Sequence, residues 1–514
     1  MIRIGVDVGG TNTDAVVMRD TEFLAGAKSP TTPDVLAGVR DAIAAAIARA
    51  GIAQTQVDAV MVGTTHFVNA LVQRKGLAAT GIIRLCLPAG GSLTPFADWP
   101  ADLIRAIGGH FRLIDGGYEM DGREIAPLNR AQLLEAAAAL LAEGCREIAL
   151  CSVFATVRGD METEAAAILA EAHPGLSVTI SREIGGMGLM QRENAAIINA
   201  ALKPLAREVV AAFTRLRADL GLTCPLYFTR NDGTLIDAAE VERLPVLTFA
   251  CGPTNSMRGA AFLSGLQNAL VVDIGGTTTD VGEVRNGFPR LAGVSVTVAD
   301  VQTNFSMPDV ISIGLGGGSL VRHAPLSIGP DSVGYKLLSE GIVFGGQTLT
   351  ASDIAVASGR AQMGTAPAPE VPELAGLLEV LDRMVADAVA RSRTSDEAMP
   401  VLAVGGGSVL MAATVDGLTV IRPPHHDLAN AVGAAIAQVS GEVSKIIALT
   451  GDLTREAAIE QVAGEARALA IRRGADPASL TTLSKSDVPL AYLPGHNLAI
   501  SVTVVGDLKL EATR

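Results

Sequence analysis

Asp7-Val8-Gly9-Gly10-Thr11-Asn12-Thr13-Asp14 follows an apolar run at 2–6, and the phrase returns as Asp273-Ile274-Gly275-Gly276-Thr277-Thr278-Thr279-Asp280 after 270–272. Six positions are identical in the two copies, which lie 266 residues apart. Each copy runs on into a second apolar stretch, 15–18 in one and 281–284 in the other. The pattern predicts strand, tight glycine turn, strand. One copy alone is open to the reading of a plain hairpin turn; the repetition points to chemistry.

That chemistry follows from the residue types. Glycine pairs give the backbone access to positive φ and let it approach an anion without a Cβ in the way. Successive N–H groups in such a turn form a concave nest for phosphate oxygens. The hydroxyls of Thr11, Thr13, Thr277 and Thr278 supply further donors. Asp7 and Asp273 end their strands and repel phosphate unless a cation lies between; magnesium suits that place. Two such hairpins facing each other predict a clamp on one polyphosphate.

A chain of 514 residues exceeds one ordinary domain. The expected division is a first lobe over 1–190, a second over 191–449 and a small αβ appendage over 450–514. The composition, 49% hydrophobic with 3% aromatic residues, implies cores built from small aliphatic side chains. A net charge of −14 without any basic run argues against a nucleic-acid or anionic-membrane partner. Five cysteines with no Cys-x-x-Cys pair argue against a disulfide framework or structural zinc. The first residues read directly as a strand rather than a signal peptide, so a cytoplasmic location is expected. The uncharged stretch 398–415 reads as buried strand, glycine loop and helix start, not as a bilayer span.

Periodicity places strands at 57–62, 79–83, 147–153, 177–180, 226–229, 246–249 and 401–404. Helices are expected from Pro33 to about Ala50, and over 66–75, 130–143, 159–172, 374–391 and 455–473. A further helix begins at Thr254, a long one over 189–220 is interrupted at Pro204, and an Ala/Gly-rich one covers 426–449.

Two Asp-Gly-Gly-Thr hairpins followed by Val401-Leu402-Ala403-Val404-Gly405-Gly406-Gly407-Ser408 resemble the actin-like ATPase (ribonuclease H-like) α/β fold. There the late glycine turn holds adenosine, and a small-residue helix such as that around Gly433 packs back on the first lobe. No Walker loop and no Rossmann glycine fingerprint is present. Within that fold the chain resembles the A-type subunit of the hydantoinase/oxoprolinase family. The likeness rests on the start Arg3 to Thr11, on Gly63-Thr64-Thr65-His66 with Asn69-Ala70-Leu71 and Arg74-Lys75-Gly76, on the loop 314–319, and on Thr350 with Asp353. Departures are Asn12 where many relatives carry an aromatic, no Pro-Gly-Pro-x-Cys-Tyr-Gly phrase after Ser327, and the closing phrase Leu490-Ala491-Tyr492-Leu493-Pro494-Gly495, which point to a shorter subfamily.

The resemblance implies ATP and Mg²⁺ as cofactors, a lactam or hydantoin-like substrate, a separate B-type partner subunit and an oligomer. ATP would phosphorylate a cyclic amide so that the ring can open. Small-molecule kinase and ATP-driven reactivase readings of the same fold stay open. The implied roles are Asp7 and Asp273 for Mg²⁺ and catalysis; Gly9, Gly10, Thr11, Thr13, Gly275, Gly276, Thr277 and Thr278 for phosphates; and Gly405, Gly406, Gly407 and Ser408 for adenosine. Asp14 and Asp280 are each a general base, an orienting group or a hairpin-closing carboxylate. Thr64, Thr65, His66 and Asn69 are candidates for substrate contact or for helix capping and packing. His425-His426, the 314–319 glycine loop and Cys251 are weaker candidates: adjacent residues on a helix point apart, an unaided glycine loop says little, and no histidine pairs with the thiol.

Overall fold

Both copies of the repeated phrase form antiparallel hairpins, and each hairpin seeds a sheet of the same topology. In the computed structural model β1 (Ile2–Val8), β2 (Asn12–Arg19), β3 (Glu22–Pro30), β4 (Ala59–Thr64) and β5 (Leu226–Thr229) lie in the order β3–β2–β1–β4–β5. The first three are antiparallel to one another, while β1, β4 and β5 are parallel. The second lobe repeats this with β6 (Ala269–Ile274), β7 (Thr279–Arg285), β8 (Val310–Ile313), β9 (Val401–Val404) and β10 (Leu418–Ile421), in the order β8–β7–β6–β9–β10. This is the duplicated, two-lobed actin-like architecture. β4 and β6 are buried along their whole length, as a strand covered on both faces must be, and therefore read as continuous apolar runs. The described residues are 1–31, 35–293, 295–450, 453–491 and 496–510. The helix start at Pro33 and the phrase Tyr492 to Gly495 fall outside them.

The first sheet grows beyond β5 by the strands Thr234–Asp237, Gln438–Ala448, Asn497–Gly506 and Thr481–Pro489. Two expectations change as a result. The 426–449 helix is in fact a short helix, Ala429–Ala435, followed by a strand. Its Ala/Gly bias suggested helix, but Val439, Val443, Ile446 and Ile447 are β-branched and pair along Asn497–Gly506. Residues beyond 190, and those of the appendage, also join the first sheet, so cuts at 190 and 449 do not separate the sheets.

Two further elements differ. Residues 246–248 belong to a 3-10 turn, Pro245–Thr248, and Phe249 follows it in a turn, rather than forming a strand. The helix Leu189–Asp219 is unbroken, with Pro204 inside it; its buried face in the first core compensates the missing backbone donor. A parallel four-stranded sheet, built from His110–Asp115, Thr80–Leu87, Glu147–Ser152 and Ser177–Ile180, docks on that helix. The docking includes a fully buried pair, Arg84 Nε to Glu193 Oε2 at 2.7 Å. No helix among the described residues is long and apolar enough to cross a membrane.

The two lobes are joined at backbone contact. Helix α1 (Cys251–Ser264) crosses helix α2 (Ala429–Ala435), which in turn lies against β1. A Cβ on Gly433 would stand 1.8 Å from the Asn255 carbonyl oxygen, and one on Gly259 1.9 Å from that of Ala429. A Cβ on Gly5 would meet the Ala431 oxygen at 2.1 Å. Backbone atoms cannot swing aside as a side-chain tip can, so these small residues hold the lobes in register. Gly433→Val is expected to lower unfolding free energy by about 2–4 kcal/mol. Gly464→Ala, in open space on a helix, should raise it by up to about 1 kcal/mol. Denaturant titration checks both.

Candidate functional site

The two carboxylates in each phrase stand seven positions apart, and the hairpin register sets them side by side: Asp7 opposite Asp14, and Asp273 opposite Asp280. The third strand of each lobe adds a partner, Lys28 opposite Asp14 and Ser312 opposite Asp280. Lys28 Nζ lies 3.0 Å from Asp14 and 3.8 Å from Asp427, while the Ser312 hydroxyl donates to Asp280. The sequence repeat is therefore a repeat of charge, with one asymmetry: an ammonium in the first lobe, a hydroxyl in the second.

The two hairpins meet across a cleft of about 680 Å³. They come so close that a Cβ on Gly276 would lie 2.2 Å from Thr11 Oγ1. Asn430, in the first turn of α2, donates through Nδ2 to Asp7 at 3.4 Å and to Asp273 at 3.3 Å. One amide nitrogen thus sits between the leading carboxylates of both lobes. The third part of the cleft is the turn after β9. Gly407 N–H donates to the Ile274 carbonyl at 2.7 Å, and Gly405 N–H to that of His426 at 2.9 Å. The loop 314–319 backs the second hairpin: the N–H groups of Gly317 and Gly318 donate to the carbonyls of Gly275 and Gly276.

Asp7, Gly9, Gly10, Thr11, Asp14, Thr65, Asn69, Asp273, Gly275, Gly276, Thr277, Thr278, Asp280, Gly405, Gly406 and Gly407 all line this one cleft. Thr13, Thr64, His66 and Ser408 do not. Thr13 is fully buried on the other face of β2, because side chains alternate along a strand and Asn12 and Asp14 take the cleft side. Thr64 is buried at the end of β4. His66 faces solvent. The Ser408 hydroxyl is turned inward to His426 Nδ1 at 3.0 Å. The hairpin glycines also differ from expectation: none has positive φ, and their value is close approach rather than unusual dihedrals. Asn430, Lys28 and Ser312 were missed from the sequence. Asn430 stood at the mouth of a segment read as one long helix, and Lys28 and Ser312 carry no local motif, their place being set by strand pairing alone.

Burial governs the electrostatics. Asp7 is pushed up to about 7, first by desolvation and then by Asp14 and Asp273. Desolvation also raises Asp273, and lifts Asp280 to about 6 against the stabilising Ser312 bond. Asp14 is raised by burial and drawn back by Lys28. Cys251 is pushed up to about 12, and its sulfur is engaged with the Thr64 backbone, which removes it as a nucleophile. The backbone N–H groups of Gly10, Thr11, Gly276 and Thr277 have no partner among the described residues. Unpaired donors beside Asp7 and Asp273, whose partner is a neutral amide rather than a cation, suit an anion carried on a divalent cation.

Gly405 is the strictest position of the cleft. Its φ is 80°, and a Cβ would lie 2.2 Å from Asp273 Oδ1. Gly405→Ala is expected to cost about 2 kcal/mol or more, read by thermal or denaturant unfolding. Gly406→Ala, with nothing within 4 Å, should stay within about 0.5 kcal/mol of the parent protein.

Residues 3–173 match the hydantoinase/oxoprolinase N-terminal region, and residues 192–369 match the hydantoinase/oxoprolinase region that follows it. A caprolactamase alpha subunit from Pseudomonas jessenii is 24% identical over 355 residues, covering 65% of this chain and 51% of that protein. An acetophenone carboxylase gamma subunit from Aromatoleum aromaticum is 27% identical over 375 residues, covering 64% and 49%. The chain spans about half the length of these relatives. Among solved structures, the ATP-dependent caprolactamase of Pseudomonas jessenii superposes with a TM-score of 0.76 at 17% identity, over 99% of this chain and 88% of that one. Nucleotide-free acetone carboxylase gives 0.72 at 18% identity, again over 99% and 88%. These structural likenesses establish the shared fold. With the two matched regions covering more than half of its sequence, the chain belongs to the hydantoinase/oxoprolinase family.

Proposed function

We propose that the chain is the ATP-binding subunit of an enzyme that activates a cyclic amide by phosphorylation and opens it together with a separate B-type partner subunit. The observation that carries this reading is the meeting of both hairpins on one cleft, with Asn430 between Asp7 and Asp273. Its relatives, a caprolactamase alpha subunit and an acetophenone carboxylase gamma subunit, favour it over a free-standing kinase or a reactivase.

In this reading the N–H groups of Gly10, Thr11, Gly276 and Thr277 and the hydroxyls of Thr11, Thr277 and Thr278 grip the phosphates from both lobes. Gly405 to Gly407 lie against adenosine. Asp7 and Asp273 would hold Mg²⁺, which would neutralise phosphate charge when bound. An unstrained amide is a poor electrophile. Its oxygen takes the terminal phosphoryl group as the bond to the bridging oxygen of ADP breaks. Water then adds to the carbon, the ring C–N bond breaks as the nitrogen takes a proton and leaves as the amine, and hydrolysis of the resulting acyl phosphate gives the open-chain carboxylate and phosphate. The protein's share is to position the amide oxygen in line and to stabilise the transferring charge. Asp280 and Asp14, each one strand away from a leading carboxylate, orient the nucleophile or accept its proton.

Asp7→Asn and Asp273→Asn should each reduce Mg·ATP turnover at least about 100-fold while leaving a folded protein. Parent-like turnover in either variant would remove the assignment. Acidity gives a second check. Because Asp7 is raised to about 7, a proton competes with the cation below that pH. Affinity for Mg·nucleotide should therefore fall by up to about tenfold per pH unit below about pH 7, with proton release on binding. Calorimetry in buffers of different ionisation heat measures both.

A further inference from the structure

The part of the cleft away from the glycine turn of β9 is unlike the phosphate-gripping part. Its floor is helical: Thr65, Val68 and Asn69 come from the helix Thr65 leads into, His66–Gln73. Its wall is apolar, formed by Phe249, Met307 and Pro308. The wall is built with care. Residues 296–308 leave the second lobe between β7 and β8 and pack into the core of the first, where Val298, Val301 and Phe305 are buried. Phe305 meets Phe249 edge-on, with ring centroids 5.6 Å apart. Asn231, itself buried, ties both sides together: Nδ2 donates to the Ser306 carbonyl at 3.1 Å, and Oδ1 accepts from Ala250 N–H at 2.8 Å. An excursion of one lobe anchored in the other thus fixes an apolar surface beside the paired carboxylates.

Charge is distributed unevenly in the cleft. Asp7, Asp14, Asp273, Asp280 and Asp427 line it, whereas Lys28 is the one cation among its described lining residues. Lys28 is already held between Asp14 and Asp427. Among these described residues no arginine or free ammonium is present to receive an acceptor's carboxylate. Asn69 offers neutral recognition instead. Its Nδ2 donates to Thr65 Oγ1 at 3.2 Å, which leaves its carbonyl oxygen and a second amide hydrogen. A ring amide, held cis, presents one N–H and one C=O on the same edge, and a carboxamide matches both at once. With five carboxylates and one already engaged ammonium among the described lining residues, an acceptor's carboxylate meets net repulsion there.

We propose that this end of the cleft selects an uncharged, largely apolar lactam read edge-on by Asn69, and rejects rings that carry a carboxylate. The inference rests on the nucleotide reading above and narrows its substrate class.

The test is binding to the full-length chain loaded with Mg·AMPPNP, followed by saturation-transfer NMR or calorimetry. The probes are 2-piperidone, 5-oxoproline (a lactam with a carboxylate) and cyclohexanone (a ring without N–H). The neutral lactam should bind at least about tenfold more tightly than either of the others. Asn69→Leu should weaken the lactam by about tenfold while leaving cyclohexanone and AMPPNP affinity unchanged, an outcome that loss of fold cannot produce. Met307→Lys should strengthen 5-oxoproline binding by about tenfold. Binding of 5-oxoproline to the parent chain at least as tightly as 2-piperidone, or lactam affinity indifferent to Asn69→Leu, overturns the inference. Failure of AMPPNP itself to bind would instead remove the nucleotide reading, and this inference with it.

Discussion

Two carboxylates from different lobes, Asp7 and Asp273, are buried with a single amide nitrogen between them, and much of the molecule serves that arrangement. Burying such groups without a counter-charge costs free energy, visible in their raised proton affinities. A folded chain keeps that strain at functional sites when surrounding structure over-determines it. Here the over-determination is explicit. Each carboxylate ends a central strand buried on both faces, and the helix carrying Asn430 touches β1 and α1 through backbone contacts at Gly5, Gly259 and Gly433.

The duplication explains why the cleft can serve a ligand of two-fold character. Strand, glycine turn and strand recur in both lobes, with the second carboxylate placed by register opposite the first. A chain of phosphate groups likewise offers similar oxygens to each side. The departures from symmetry are chemical. Lys28 against Ser312 gives the lobes different charge, and the 296–308 excursion gives the cleft an apolar wall that a repeated hairpin alone would lack.

Much of this was legible in the residues. The hairpins, β9 with its glycine turn, and most helices followed from apolar runs, glycine pairs and 3.6-residue periodicity, because those signals are local. The misreadings came where tertiary context outweighs local preference. Pro204 persists within a buried helix, and the Ala/Gly-rich segment after Asn430 turns into a strand because a C-terminal strand pairs with it. For the cleft, the glycines, Thr11, Asp7 and Asp273 were readable as a repeated phrase. Thr13 and Ser408 were not, since which face a hydroxyl takes depends on strand alternation and on His426. Asn430 was hidden for another reason: its role exists only once the lobes come together.

The most direct measurement is a structure of the chain crystallised with Mg·AMPPNP. The account predicts one nucleotide, its phosphates in contact with Gly10 and Thr11 on one side and Gly276 and Thr277 on the other, and the metal between Asp7 and Asp273. A nucleotide touching only one hairpin, or bound elsewhere with the cleft empty, would contradict it.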